Sequence, residues 1–410
     1  MLRHSIDSKK MFIQLKNYPR GPIVIGFYKK LFFYGCCFLL GACAQIDDYL
    51  LGKDNTLKPK SLPAYHEKVA LKELWTASIG KTDDAGYLKL RPAVEGQVIY
   101  FADSKGRLSA FDKRTGKTIW AKQLSQNLVS GPVALDHMLA FGTNNASVLL
   151  LATEDGHQLW ETSVSGDVLA SPLLTQKRAI AKTIDGRLFA FDKFTGKKLW
   201  SLNHGSPNLI LRASSSPIKV GNSVIVGFSD GKLDSVELDS GRVLWQRSIA
   251  YASGSSDVER LIDIDADPLF EGYHLYLASY QGDVSAMSMK SGEFTWHKPA
   301  ATYKNLAIDE RNLYLVDNND VVIALDKKNG RTEWKQTALK ARGVTAPVRL
   351  GNYIVVADKT GFIHVLDTQQ GELVGRASLN APIDVAPIVS EDRIYIVTHA
   401  GQLACFAVER

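Results

Sequence analysis

The hairpin-like stretch from Gly186 to Trp200 is the clearest of eight related copies, and this repeat constrains the fold more than any other feature of the sequence. The first half alternates in side-chain character with a period of two, which indicates a strand. The run from Asp192 to Gly196 has turn composition, because Asp can bond its own backbone and Gly accepts a positive φ. A second strand follows and ends in Trp200. One hairpin cannot bury so much apolar surface alone, so its recurrence determines the fold.

Two glycine-like positions, ten residues apart, mark each copy of the hairpin. The pairs are Gly106/Gly116, Ala146/Gly156, Gly186/Gly196, Gly231/Gly241, Gly282/Gly292, Asp320/Gly330 and Gly361/Gly371, and an eighth copy begins at Gly401. An alternating strand precedes each hairpin, and a proline-containing segment precedes that strand in all units but the sixth. A period near 40 to 45 residues in strand-rich units is typical of propeller blades. The sequence therefore predicts an all-β fold, an eight-bladed β-propeller with four-stranded antiparallel blades.

The tryptophans predict how the ring closes. All seven are placed by the repeat, at Trp75, Trp120, Trp160, Trp200, Trp245, Trp296 and Trp334. Six of them follow a turn glycine by four residues, whereas Trp75 stands alone before the first unit, and the last unit lacks its outer strand. Pairing the N-terminal strand with the last blade removes both open edges. We interpret these large rings as interblade packing, and Gly375, which stands where another tryptophan is expected, predicts a weaker junction.

The N-terminal region has the features of a secreted and lipidated protein. Lys29 and Lys30 precede an apolar run of about ten residues, which is a secretory signal and is too short to span a bilayer. The following Leu-Gly-Ala-Cys run resembles a bacterial lipobox and predicts lipidation at Cys43, although an ordinary signal with an incidental cysteine remains an alternative. We predict a lipoprotein-type signal peptide over 1–42, a lipidated N-terminus and flexible tether over 43–70, and a propeller over 71–410. Ala44, where lipoproteins retained in the inner membrane usually have Asp, favours the outer membrane.

Charge and cysteine content exclude some functional classes. Residues 1–42 contain seven Lys or Arg and one acid, and the rest of the chain has 42 basic and 42 acidic residues. The sequence pI near 8.9 is therefore no argument for nucleic acid. Only Cys405 lies in the predicted propeller, which excludes a disulfide framework and a cysteine metal site there.

The hairpin motif itself resembles a known propeller class. The pattern Ala-Phe-Asp-x-x-Thr-Gly-x-x-x-Trp occurs over 110–120 and 190–200, and 324–334 is close to it. This pattern resembles the tryptophan-docking motif of quinoprotein-type (PQQ) propellers, and the resemblance covers 71–410. It implies the fold, but it does not imply quinone binding, because a fold hosts many functions.

Two loops on either side of the fourth repeat extend the resemblance to one family. The first contains Asn208-Leu-Ile-Leu-Arg212, and the second is the long insertion from Tyr251 to Pro268, which contains Asp263-Ile-Asp265. With the lipobox, these loops resemble those of the BamB family, the propeller lipoproteins of the bacterial machinery that assembles β-barrels in the outer membrane. The resemblance implies that five residues contact the periplasmic (POTRA) domains of BamA: Leu209, Leu211, Arg212, Asp263 and Asp265. Alternatively, Arg212 pairs with Asp263 or Asp265 and only fixes the loops.

The function implied by the resemblance is a non-enzymatic scaffold subunit. It would be anchored in the outer membrane, face the periplasm of a Gram-negative bacterium, and support insertion of unfolded β-barrel clients. The alternatives are a PQQ-dependent dehydrogenase-like enzyme and a generic lipid-anchored envelope scaffold. A nucleophile elbow, an HExxH motif and a phosphate loop are all missing from the sequence. We therefore expect no catalytic residue, no metal site, no cofactor and no nucleic-acid partner.

Overall fold

The computed structural model describes residues 58–80, 88–206, 214–249, 263–280 and 282–409. The chain divides into two compact units, Met1–Leu57 and Lys58–Arg410, and all of the described residues belong to the second. This unit consists of eight antiparallel blades arranged in a ring, which confirms the predicted eight-bladed propeller. The described residues contain no helix with the length and hydropathy that crossing a membrane would require.

The strands follow the predicted repeat, four to a blade. One strand precedes the first blade, and another short strand, β2, lies outside the four-strand pattern. The bounds over the first half of the chain are β1 Ala70–Ser78, β2 Lys89–Leu90, β3 Ala93–Glu95, β4 Val98–Ala102, β5 Arg107–Asp112, β6 Thr118–Gln123, β7 Leu128–Leu135, β8 Met138–Thr143, β9 Ser147–Ala152, β10 Gln158–Ser163, β11 Leu173–Leu174, β12 Arg178–Lys182, β13 Arg187–Asp192, β14 Lys198–Asn203, β15 Ile218–Val220, β16 Ser223–Gly227, β17 Lys232–Glu237 and β18 Val243–Ser248.

The second half of the chain repeats the same order without additions. Its strands are β19 Leu269–Glu271, β20 His274–Ala278, β21 Asp283–Ser288, β22 Phe294–Pro299, β23 Ala307–Ile308, β24 Asn312–Val316, β25 Val322–Asp326, β26 Thr332–Gln336, β27 Val348–Leu350, β28 Tyr353–Ala357, β29 Phe362–Asp367, β30 Leu373–Ser378, β31 Ile388–Ser390, β32 Arg393–Val397 and β33 Gln402–Glu409. Blades one to seven are β3–β6, β7–β10, β11–β14, β15–β18, β19–β22, β23–β26 and β27–β30.

The eighth blade closes the ring with strands from both ends of the propeller. Its order is β31, β32, β33 and then β1, and β1 pairs antiparallel to β33 from Ala70↔Glu409 to Ser78↔Gln402. The predicted closure is therefore confirmed. Because the outermost strand of this blade is supplied by the N-terminal end, the first and last described strands are both paired, and an open seam is avoided.

Apolar side chains fill the gaps between blades. Each of the eight buried hydrophobic clusters contains residues of two adjacent blades, so the core forms a ring of interblade layers. The alternating strands place half of their side chains on each face, and both faces meet a neighbouring blade. This is why the second strands, such as Asn312–Val316, are buried along almost their whole length.

The tryptophans lie between blades, and all but Trp245 lie over the turn glycine of the blade that follows. A Cβ at Gly196 would lie 2.6 Å from a ring carbon of Trp160, and Gly196 also has a φ of +69°. Six indole N–H groups donate to a backbone carbonyl of the next blade at 2.7–3.3 Å: Trp75, Trp120, Trp160, Trp200, Trp296 and Trp334. Trp245 packs against the cluster between blades four and five.

The two faces of the ring have different loops. We call the upper face the side on which the outer strand of one blade connects to the inner strand of the next. The turn between the second and third strands of each blade lies there too. Two backbone hydrogen bonds demonstrate this, because Leu124 and Ile249, at the ends of outer strands, donate their N–H groups to the carbonyls of the turn residues Gly106 and Gly231. The lower face has the turns covered by the tryptophans. Residues 263–268 therefore lie on the upper face of blade five.

Candidate partner-binding site

The acidic run, residues 263–268, is held firmly at the inner end of blade five. Asp263 and Asp265 are only 1% and 2% exposed. The Asp263 carbonyl accepts a hydrogen bond from the Tyr280 backbone N–H at 3.1 Å, and the Ile264 side chain lies against Gly227 of blade four. The two aspartates predicted to meet a partner thus point into the protein rather than into solvent.

Asp267, the third acid of the run, is the centre of a polar hub that joins several blades. Its carboxylate accepts hydrogen bonds from Lys89 Nζ at 2.6 Å, from the Ser216 backbone N–H at 2.6 Å and from Asn305 Nδ2 at 2.8 Å. Lys89 lies on β2, which pairs parallel to β7 of blade two. Burial alone would raise the pKa of Asp267, but the positive charges of Lys89 and Arg91 and these hydrogen bonds hold it at about 2.

Asp265 has the opposite environment. Neither of its carboxylate oxygens accepts a hydrogen bond from a described residue. Burial raises the pKa of Asp265 to about 6, although the charges of Lys89 and Lys182 oppose the shift. Removing a carboxylate from water without hydrogen bonds is costly, so this group retains free acceptor capacity inside the site.

Lys182 completes this cluster of charges. Its Nζ donates to the Gly227 carbonyl at 2.6 Å, and burial together with the like charge of Lys89 lowers the pKa of Lys182 to about 7. Lys182 and Asp265 are buried and Lys89 and Asp267 are partly buried, so the four groups form one cluster in which each charge affects the others.

A cavity opens beside this cluster at the centre of the upper face. Its volume is about 340 Å³, and its walls include Arg91, Asp265, Lys304, Asp320 and Asp384. Lys304 is paired with Asp320 at 2.8 Å. The walls contain both positive and negative groups, so the cavity has no single sign of charge. Within the ranges that the structure describes, no group of three or more His, Cys, Asp or Glu side chains is arranged to hold a metal ion.

His204 precedes, in the sequence, the other loop that the sequence analysis singled out. Its Nδ1 is 2.8 Å from Asp234, its Nε2 is 3.1 Å from both oxygens of Asp230, and its ring stacks on Phe228 with centroids 3.8 Å apart. Burial lowers the pKa of His204, but the hydrogen bonds and charges of the two aspartates outweigh it and raise the pKa to about 9. The imidazolium thus fixes the end of β14, three residues before position 207.

This geometry predicts a pH effect on stability. A histidine with a raised folded-state pKa stabilises the protein fully below its unfolded pKa of about 6.5, and the contribution disappears as the pH rises through about 9. We expect the unfolding free energy of the native protein to exceed that of His204→Gln by about 2–3 kcal/mol at pH 6. The difference should shrink between pH 6.5 and 9.5, as measured by urea unfolding of both proteins. A difference in unfolding free energy that does not depend on pH would contradict the stabilising role of protonated His204. Because Lys182 titrates in both proteins, its contribution cancels in the comparison.

The structure includes only part of the predicted site. Leu209, Leu211, Arg212 and the predicted lipidation site Cys43 lie outside the described residues. The sequence reasoning missed Lys89, Lys182, Asp267 and His204. A signal existed for two of them, because Asp267 continues the alternating acids 263 and 265, and Lys89 lies in a run, Leu-Lys-Leu-Arg91, that repeats the Leu-x-Leu-Arg pattern of the other loop.

Comparison with solved structures supports the fold. The structure of BamB from Moraxella catarrhalis superposes with a TM-score of 0.76, at 24% identity, over 82% of this chain and 99% of that one. A europium-containing methanol dehydrogenase superposes with a TM-score of 0.66 at 12% identity, over 82% of this chain and 93% of that one. At these identities, the likeness demonstrates a common propeller architecture only.

Sequence comparison identifies the family. The outer membrane protein assembly factor BamB of Legionella pneumophila (strain Paris) is 48% identical over 368 residues, which are 90% of this chain and 96% of that protein. The factor of the same name from Escherichia coli (strain K12) is 28% identical over 374 residues, covering 88% and 94% of the two chains. The model of the family described as "Outer membrane protein assembly factor BamB" matches residues 71–149, 104–336 and 337–409. The chain therefore belongs to the outer membrane protein assembly factor BamB family.

Proposed function

We propose that this chain is a non-enzymatic scaffold subunit of the β-barrel assembly machinery. It docks on the periplasmic domains of BamA and supports insertion of unfolded β-barrel proteins into the outer membrane. The observation that carries the proposal is membership of the family over the whole propeller, with a relative named as an assembly factor at 48% identity. A lipid on Cys43 holds the protein at the outer membrane with the propeller in the periplasm.

The docking site is the upper face around blades four and five. Leu209 and Leu211 provide the apolar centre of the contact, and Arg212 provides a planar donor group for carboxylates or carbonyls. The acidic run borders the same face, where the Asp267 hub fixes its position against three other blades. A rigid docking surface binds with less loss of conformational entropy than a mobile one.

Asp263 and Asp265 act from beneath this surface. At 1% and 2% exposure they contribute little contact area, so their role is to shape the loop and to set the local charge. The free acceptor capacity of Asp265 allows a donor brought by BamA to complete the site, which would repay the cost of burying this carboxylate.

Binding of purified BamA periplasmic domains to the full-length protein in detergent tests the docking proposal. We expect Arg212→Ala to weaken binding at least about tenfold, as the loss of a charged anchor does. Asp155→Asn is the control, because its side chain is 61% exposed in a lower-face turn of blade two, where it pairs with His157. Absence of binding by the native protein, or equal binding by the Arg212→Ala and native proteins, would refute the interface.

A second prediction separates binding from folding within the acidic run. Asp265→Asn keeps the shape and removes a poorly compensated buried charge, so the unfolding free energy should stay constant or rise by about 1–2 kcal/mol at pH 7. Binding to the BamA domains should nevertheless weaken about tenfold.

Asp267→Asn is the matched change two residues away. It should lower the unfolding free energy by about 3 kcal/mol, since Lys89 loses the carboxylate that is 2.6 Å from its Nζ. Urea unfolding and the binding assay check both variants. If Asp265→Asn destabilises the protein as much as Asp267→Asn, the two aspartates have the same structural role and the proposed role of Asp265 is wrong.

A further inference from the structure

Residues 58–69, which precede the first strand, run along the outside of blades six and seven, and we call them the strap. At its lower end, the backbone N–H groups of Lys68 and Val69 donate to the Val374 carbonyl at 2.8 and 3.1 Å. The Lys68 side chain pairs with Glu372 at 2.8 Å. The sequence predicted a flexible tether over 43–70, and the described part of that range lies against the ring.

Val69 fills the gap between blades seven and eight. It is 3% exposed and belongs to the apolar cluster of that gap. A Cβ on Gly375 would lie 2.7 Å from the Val69 carbonyl oxygen and 2.9 Å from its Cγ2. Gly375 occupies the register at which the outer strands of the seven other blades carry a tryptophan. A tryptophan side chain at this position would therefore collide with the strap.

Ring closure explains why Val69 and Gly375 replace a tryptophan at this junction. In six of the other seven junctions a tryptophan covers the turn between the third and fourth strands of the next blade. In blade eight those strands are β33 and β1, which come from the two ends of the propeller and have no turn between them. The chain entering β1 passes through the space that a turn would occupy, and Val69 takes over the packing.

The upper end of the strap is fixed by two arginines. Arg342 donates to the Lys60 carbonyl at 2.9 Å and pairs with the buried Asp358 at 2.6 Å, while the Lys60 backbone N–H donates to the Lys340 carbonyl at 3.1 Å. Arg376 lies over the Tyr65 ring at 4.6 Å. Since Lys340 and Arg342 belong to the connection between blades six and seven, the strap leaves the ring at the upper face.

We infer that the strap is a structural part of the propeller that shortens the membrane tether and fixes its exit at the upper face. The consequence for the membrane rests on the proposed lipid at Cys43. About fifteen residues separate Cys43 from Lys58, and they can span at most about 50 Å. Release of the strap would add about 40 Å to this reach. The strap therefore limits the distance between the membrane and the face that has the acidic run.

Hydrogen–deuterium exchange of the full-length protein in detergent tests the strap. We expect the Lys68 and Val69 amides to exchange at least about 100-fold more slowly than in an unstructured chain. Gly375→Leu disrupts the contact on the ring side, and Val69→Asp disrupts it on the strap side. Both variants should raise hydrogen exchange over 60–69 to the rate of an unstructured chain. Gly166→Ala is the control, because its Cβ would make only ordinary contacts of 3.4 Å or more.

Exchange in β28 reports in the same experiment whether the ring itself stays folded. Fast exchange of 60–69 in the native protein would overturn the inference, and so would protection that survives in Gly375→Leu and Val69→Asp. The distance that the tether allows between the propeller and the membrane is tested separately, by fluorescence energy transfer from a label on the upper face to lipid in vesicles. Val69→Asp should lengthen the largest label-to-lipid distances by tens of ångströms. If the exchange result holds but the native protein does not bind vesicles, the lipid proposal fails and the strap remains.

Discussion

Replacement of Trp160 by alanine is expected to lower the free energy of unfolding by about 3–5 kcal/mol. The ring of Trp160 is 8% exposed, packs on Phe191 with centroids 5.8 Å apart, and covers Gly196 of the next blade. Its Nε1 donates to the Lys193 carbonyl at 2.7 Å. Alanine would leave a cavity between blades two and three and a carbonyl without its donor. The rigid backbone turn at Gly196 prevents the neighbouring blade from collapsing into this cavity.

Urea unfolding followed by circular dichroism measures the effect. Trp160→Phe is the matched variant, because it retains most of the ring volume and loses the N–H, and we expect it to cost about 1–2 kcal/mol. Phe194→Ala, at a side chain that is 61% exposed in the adjacent turn, should change stability by no more than about 0.5 kcal/mol. If Trp160→Ala lowers the free energy of unfolding by less than about 1 kcal/mol, the tryptophans contribute little to the stability of the junctions between blades.

The propeller could be predicted from the sequence because its information is local. Each hairpin carries its alternation, its turn glycine and its tryptophan within fifteen residues, and the same pattern repeated at a constant period specifies equal blades. Closure was also predictable, since Trp75 marked a spare strand at one end and the unit after Gly401 lacked one at the other. The left-handed turn positions follow the same pattern even where Ala146 and Asp320 replace glycine, with φ values of +53° and +62°.

The polar hub could not be predicted in the same way. Lys89 and Asp267 are separated by 178 positions and meet only because the ring brings β2 beside blade five. No periodicity relates them, and either residue taken alone looks like an ordinary surface charge. The burial of Asp263 and Asp265 could not be predicted either, because an alternating polar run in a long loop is typical of an exposed segment. The strap was hidden too, since the polar composition of 58–69 is that of a linker.

The replacement Asp358→Asn should cost about 3–5 kcal/mol of unfolding free energy at pH 7. Asp358 is fully buried, and its Oδ2 accepts from Arg342 Nε at 2.6 Å and from His364 Nε2 at 3.0 Å. Asparagine has nearly the same shape but no charge, so the Arg342 guanidinium, 6% exposed, would remain buried without its counter-ion. Because Arg342 also holds the Lys60 carbonyl, the upper end of the strap should loosen in the same variant.

The pH dependence distinguishes this charge effect from a simple packing defect. Burial alone would raise the pKa of Asp358, but His364, Thr360 and Arg342 hold it well below its usual range. A depressed carboxyl pKa stabilises the fold above the unfolded pKa of about 4, and the contribution is lost as the pH falls below that value. Urea unfolding between pH 3 and 7 should therefore show the native protein losing its advantage over Asp358→Asn as the pH falls. A difference that stays constant as the pH falls from 4 to 3 would exclude the ion pair as its source. The comparison is made below pH 4 because His364 does not titrate identically in the two proteins: the hydrogen bond and charge of Asp358 oppose the lowering of the His364 pKa by burial.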